Sequence, residues 1–229
     1  MKPIIPVVFI AIAFAVTVQN NPPLFKVIAF YIAKNDQAHI SYVHEANRWF
    51  PGIAEKYNFQ YDSTNDWNSL NEQFLAQYEV AFFLDTRPEA PSQREAFKKY
   101  MENGGTWIGF HFAGFALTPS AFNQDWDWYH NVFIGAGQYK GNTWRPTSAI
   151  LRVEDKKHPA TKNLPQTFSS SPNEWYSWEK DLKKILTLIY LYQLIQPVFR
   201  WVPALSSMKY GIATTTLLYG PTKNIRCFI

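Results

Sequence analysis

Between residues 26 and 112 the chain alternates short apolar runs with longer stretches whose apolar positions recur every three or four residues. KVIAFYI (26–32) is short, apolar and rich in β-branched and aromatic residues, the composition of a buried parallel strand. In 40–57, Ile40, Val43, Ala46, Asn47 and Phe50 fall at helical spacing, and Pro51 is expected to bend or restart the helix. FQYDST (59–64) predicts a second strand, and residues 69–77 a short helix with Leu70, Phe74 and Leu75 on one side. VAFFLD (80–85) is the clearest buried strand and closes on Asp85. PSQREAFKKYMENGG (91–105) places Pro91 near its start, Lys98 and Lys99 late and a glycine pair at its end, which are helix start and stop signals. TWIGFHF (106–112) predicts a fourth strand.

Strands and helices alternating over short links predict an α/β fold with a doubly wound, mainly parallel sheet. Such sheets bind ligands beyond the carboxyl ends of their strands, near the point where strand order reverses. Three of the predicted ends carry polar side chains: the segment 33–39 with His39, then Asp85–Thr86–Arg87, then His111. In GGTWIGFHFAG (104–114), His111 occupies a strand-to-turn corner where one large class of α/β enzymes carries a serine or cysteine nucleophile. Beyond Gly114 the chain turns aromatic and polar through 121–137, then strand-like in TSAILRVED (147–155). It shows neither an internal repeat nor a glycine-rich phosphate loop.

The formal net charge of +4 suggests an anionic partner until it is located. Residues 1–184 hold 18 basic and 18 acidic side chains, so the excess belongs to Arg200, Lys209, Lys223 and Arg226 in the acid-free tail. Nucleic-acid binding, which needs a basic face on a folded scaffold, is discarded. The single cysteine, Cys227, rules out an internal disulfide and leaves residues 1–184 without a thiol for catalysis. One lysine, an apolar run of about 15 residues and a polar break give residues 1–20 the layout of a signal peptide, with a short membrane anchor as the alternative. Export to the periplasm or the extracellular medium is therefore expected, with membrane contact only through an uncleaved N-terminus.

The motifs GFHFAG, DWDWYHNVFIGA, VEDKKHPATKNLP and NEWYSW occur in this order, and their spacing resembles the trehalose-utilisation (ThuA-like) family. Members of that family look like class I glutamine amidotransferases that lack the amidotransferase cysteine. The resemblance covers about residues 26–180, placing the domain at 26–182, and implies a flavodoxin-like fold and a link to trehalose, related disaccharides or keto-sugars. It excludes glutaminase chemistry, since His111 stands where those enzymes carry cysteine. His39 matches a histidine that follows the first strand, Trp128 and Tyr129 an aromatic pair, His158–Pro159 a turn, and Glu174 with Tyr176 an acidic–aromatic pair. The family's late histidine, in a Gly-His after a final strand, has no counterpart here.

The candidate catalytic residues are His111, Asp85 and Glu174, and the candidate substrate-binding residues are His39, Trp128, Tyr129 and Tyr176. His111 suits a general base, a partner for a sugar hydroxyl or a metal ligand; its plainer role is a buried histidine satisfied by a carbonyl. Asp85 could orient His111 or bind a hydroxyl, or simply cap a turn. Glu174 is either an acid/base partner or a solvated loop residue. Trp126, Trp128, Tyr129, Trp144 and Trp175 offer flat faces to a sugar ring, or else fill the core. No cofactor is expected. A divalent metal is disfavoured, because His39 and His44 are five apart and face different sides of a helix, and His39, Asp85 and His111 make a thin ligand set. The expected partner is a small carbohydrate.

Residues 183–229 fit nothing before them. From 185 onward they lack acids, and the apolar run 185–195 is too short to span a bilayer. A buried strand pair or hydrophobic helix is one explanation. A second is a shifted reading frame near Lys184. Codons exist that encode WVPALSSMKYGIATTTLLYGPTKNIRCFI (201–229) and, read two bases on, spell GTGPKLHEIWHSNYYPVVWTNKKYKMFY, which resembles the end of a ThuA-like domain. On that reading the domain is truncated and its sheet incomplete at the C-terminus.

Overall fold

The computed structural model describes residues 21–114, 126–143, 145–157 and 161–180, together with the backbone of four later strands. The expected signal segment 1–20, Trp144 and His158–Pro159 lie outside the described residues. In the first half the elements run β1 (Lys26–Phe30), α1 (Gln37–Tyr57), β2 (Gln60–Thr64), α2 (Glu72–Leu75), β3 (Val80–Phe83), α3 (Pro91–Glu102) and β4 (Thr106–Gly109). The second half supplies β5 (Tyr139–Asn142), β6 (Ala149–Val153), β7 (Thr167–Ser169) and β8 (Tyr176–Trp178). The tail adds β9 (Leu188–Tyr190), β10 (Tyr192–Pro197), β11 (Thr216–Tyr219) and β12 (Ile225–Phe228).

The principal sheet has the order β2-β1-β3-β4-β12-β11-β9, with β2, β1, β3, β4 and β12 parallel and β11 antiparallel to both its neighbours. This is the doubly wound α/β arrangement expected. Because β1 lies between β2 and β3, strand order reverses at the β1/β3 crevice, where such sheets open a ligand site. Two smaller sheets, β10-β6-β7 and β5-β8, are built from the second half and part of the tail.

Side chains of a strand alternate between faces, and the two faces of the sheet carry separate cores. Ile28, Phe30, Ala81, Phe83 and Trp107 face one way and pack with Ala96, Phe97 and Met101 of α3. Val27, Ala29, Phe82 and Leu84 face the other way, against Val43 and Ala46 of α1. Gly109 is fixed by the first core: a Cβ there would lie 2.1 Å from the Trp107 ring, so no larger residue fits beside that indole.

Three local expectations are corrected. Helix α1 runs unbroken through Pro51. Proline removes one intrahelical hydrogen bond, but the side chains of His39, Val43, Ala46 and Ala54 anchor the helix on both sides of it. Strand β4 stops at Gly109, and His111–Gly114 forms a 3₁₀ turn. The region 69–77 is likewise shorter than predicted: a 3₁₀ turn at Trp67–Ser69 precedes α2, which spans a single turn. Among the described residues no helix is long and apolar enough to cross a membrane.

Candidate functional site

The carboxyl ends of β1, β3 and β4 converge on a cavity of about 510 Å³, within the roughly 300–1,000 Å³ usual for small-molecule sites. One wall comes from the start of α1 and the strand ends, with Asp36, His39, Tyr42, Asp85, Phe110 and His111. The facing wall comes from Pro146 and the segment around β8, with Pro172, Asn173, Glu174, Tyr176 and Trp178. The bridge between Thr147 and Asn173 ties the two loops of this second wall together.

His111 has φ 46, left-handed backbone that a non-glycine residue rarely adopts. This conformation turns the chain out of β4 and leaves the imidazole half-buried in the cavity wall. The side chain then joins a short chain: His111 Nε2 hydrogen-bonds with the Tyr176 hydroxyl, which donates to Glu174 Oε2. Glu174 Oε2 lies 3.7 Å from His111 Nε2. With the phenol proton directed at Glu174, the phenol oxygen accepts from Nε2–H, and the imidazole lone pair falls on Nδ1. Burial, followed by the neighbouring His39, pushes the His111 pKa down to about 4, against the pull of Glu174 and Asp36. His111 is therefore neutral at pH 7, the form a general base needs. Burial and the bond to Glu174 push the Tyr176 phenol up, so it remains a donor.

His39 is buried, with its ring edge-on to His111 at 4.9 Å and to Phe112 at 4.0 Å between centroids. His44 is exposed on another side of α1. Asp85 is buried, and burial raises its pKa. Its Oδ1 accepts from Ile32 N–H at 2.8 Å and its Oδ2 from Ala33 N–H at 2.6 Å. Asp85 thus pins the turn after β1, including Ala33 at φ 50, to the end of β3. Of the roles weighed for it, the structure gives Asp85 that of clasping a turn while still lining the cavity.

Trp126, Trp128 and Tyr129 lie apart from the described cavity wall. Tyr129 is fully buried in a π-helical turn, Trp128–Phe133, and its hydroxyl donates to the Ala113 carbonyl at 2.6 Å. Trp128 stacks on Phe133 at 5.0 Å, and Trp126 stacks on Tyr129 at 4.8 Å. Neither Trp128 nor Tyr129 is among the residues that line this cavity: Tyr129 is buried in the core, and Trp128 packs partly buried against it. Trp175 is buried and donates to the Thr147 carbonyl at 2.7 Å, which supports the second wall. His39, Asp85, His111, Glu174 and Tyr176 are brought together from segments up to 137 residues apart. Sequence reasoning passed over Asp36, Tyr42 and Asn173. Only Asp36 had a local signal, as an N-cap acid just before a helical pattern.

A doubly wound α/β domain with a neutral histidine at its strand-end corner and a phenol–carboxylate pair behind it defines the class. Within that class, the family model described as trehalose utilisation (ThuA) matches residues 27–211, and the chain belongs to this family. Among solved structures, a ThuA-like protein from Bacteroides uniformis is 28% identical with a TM-score of 0.71, over 91% of this chain and 82% of that one. A ThuA-like protein from Parabacteroides merdae is 14% identical with a TM-score of 0.59, over 91% and 78%. A glutamine amidotransferase from Thermotoga maritima aligns at 12% identity and a TM-score of 0.46, over 89% and 74%. None of the curated proteins matches the chain.

Proposed function

We propose that this domain acts on a disaccharide or keto-sugar, with His111 as general base in the cavity at the strand ends. The observation that carries the reading is the chain from His111 through Tyr176 to Glu174, opening on a cavity of small-molecule size. Trehalose utilisation, the description of the family, supplies the substrate class. A sugar hydroxyl, or a carbon-bound proton made acidic by an adjacent carbonyl, is the group His111 would deprotonate through Nδ1. The resulting imidazolium is stabilised by the Tyr176 oxygen, which accepts from Nε2–H, and by the Glu174 carboxylate beyond it, which accepts from the Tyr176 hydroxyl. Export, read from the apolar segment 1–20, would bring the domain to free sugars outside the cytoplasm.

The test is turnover of 3-keto-glycosides by the purified chain and by His111→Ala. Loss of a general base lowers the rate by roughly 10²–10⁴-fold. Tyr176→Phe, which keeps the ring and cuts the link to Glu174, should give a smaller loss. Saturable sugar binding without turnover would assign the domain to carbohydrate binding, and turnover unaffected by His111→Ala would remove His111 from the reaction.

A further inference from the structure

Left-handed backbone at a non-glycine residue such as His111 persists only where its surroundings hold it. Before the corner, Phe110 N–H donates to the Phe83 carbonyl at 2.9 Å, which ties the end of β4 to β3. After it, Ala113 N–H donates to the Phe110 carbonyl at 3.0 Å and closes the 3₁₀ turn. A third bond comes from elsewhere in the chain. The Tyr129 hydroxyl donates to the Ala113 carbonyl at 2.6 Å, and both residues are fully buried. A carbonyl at the end of a helical turn has no partner within that turn, and burial keeps water away, so the donor must come from outside.

Tyr129 is itself firmly placed. It sits in the π-helical turn Trp128–Phe133, where Ile134 N–H donates to its carbonyl at 2.8 Å; such turns are rare and recur at functional sites. Trp126 stacks on its ring, and the buried Arg87 guanidinium lies 5.7 Å from the ring centroid. Arg87 follows Asp85 by two residues, so the segment after β3 braces both the turn after β1 and the ring that braces the turn after β4. Burial pushes the Tyr129 phenol up, so it keeps its proton for Ala113.

We propose that Tyr129 is a positioning residue of the site: through the Ala113 carbonyl it holds the His111 corner left-handed and so aims the imidazole at Tyr176 and the cavity. This rests on the reading of His111 as the base, and it gives the buried turn 128–133 a task that needs no contact with sugar. Phenylalanine at 129 would keep the ring, its stack on Trp126 and the Arg87 contact, yet leave the Ala113 carbonyl unpaired in the core. The turn would then relax to find that carbonyl another partner, and rotation at residue 111 would carry the imidazole out of the wall.

Urea denaturation of a double-mutant cycle on the full chain tests this without substrate. Glycine adopts left-handed backbone freely, so in His111→Gly the corner needs no holding. Tyr129→Phe should lower the urea midpoint of the wild type, and lower it by about half as much or less in the His111→Gly background. Equal losses in the two backgrounds overturn the inference. If Tyr129→Phe does not fold, failure of His111→Gly to restore folding overturns it too. The His111 ring, identified in NMR spectra by its absence from His111→Gly, gives the second readout. Asp36 and His39 face that ring from α1, and Glu174 and Tyr176 from the second wall, so release of the corner carries it away from all four. Its titration midpoint, about 4 in the wild type, should rise by about a unit or more in Tyr129→Phe. Phe133→Leu, which thins the same core and keeps the hydroxyl, should lower Tm and leave that midpoint in place. An unmoved midpoint in Tyr129→Phe, or an equal rise in Phe133→Leu, overturns the inference. With 3-keto-glycosides, Tyr129→Phe should lower kcat about 10–100-fold at constant KM. A raised KM at constant kcat assigns Tyr129 to substrate binding and overturns its positioning role. No turnover by any of these chains, wild type included, removes the catalytic reading alone, since the cycle and the titration are read without sugar.

Discussion

His111 combines a left-handed backbone with an imidazole kept neutral by its surroundings, and the second property has a consequence for stability. Its pKa is 6.5 in an unstructured chain and about 4 in the fold. Between those values the unfolded state binds more protons, so this contribution to stability is fully present above about pH 6.5 and is lost as pH falls through about 4. Urea denaturation across that window should show stability declining toward acid, and His111→Gln should flatten part of the decline. An identical pH slope in the variant would mean that the histidine titrates normally in the fold. The histidine at the corner was legible in the sequence, because a glycine pair and an apolar run precede it. Its tautomer and neutrality were not: the first depends on Tyr176 and Glu174, more than 60 residues away, and the second on burial and on His39, which act against Glu174.

At the scale of elements, the site depends on how the end of β3 holds the turn after β1. Asp85 supplies both oxygens to consecutive backbone N–H groups, Ile32 and Ala33, across the crevice where strand order reverses. Replacing it by alanine orphans two part-buried donors and frees a turn that contains two left-handed residues, Ala33 and Asn35. Asp85→Ala should therefore cost about 2–4 kcal/mol in urea denaturation, and a loss under about 0.5 kcal/mol would show the clasp to be idle. The strands and helices themselves were legible through residue 109, because their apolar periods of two and of three to four match the two cores. Pro51 misled the reading of α1: a local penalty was outweighed by packing on both sides of it. Trp128 and Tyr129 could not be placed from the sequence, because a flat apolar ring suits a sugar and a core equally well, and the fold puts both against the core.

For the whole molecule, the tail is where sequence and fold meet least clearly. The family model reaches residue 211, and the backbones of β12, β11 and β9 continue the principal sheet beyond β4. A frame change near Lys184 remains our proposal, motivated by the family-like words hidden in the alternative frame and by the abrupt loss of acids. Reading the coding DNA through that point should find one inserted or deleted base. A chain carrying the restored tail should then melt at a higher temperature and bind sugar more tightly. An intact frame, with the present tail peptides seen by mass spectrometry, would end the proposal.

The sequence alone determined the α/β class, the strand order's raw material, the family and the identity of the corner histidine. Each follows from local periodicity or from motifs read in order along one chain. Tertiary structure decided which of the candidates share a cavity, which rings fill the core, and that Asp36, an unremarked helix cap, faces the same space as His111 and Glu174. Proximity between residues far apart in sequence is set by packing and strand order, and the same local pattern can be satisfied by a site or by a core.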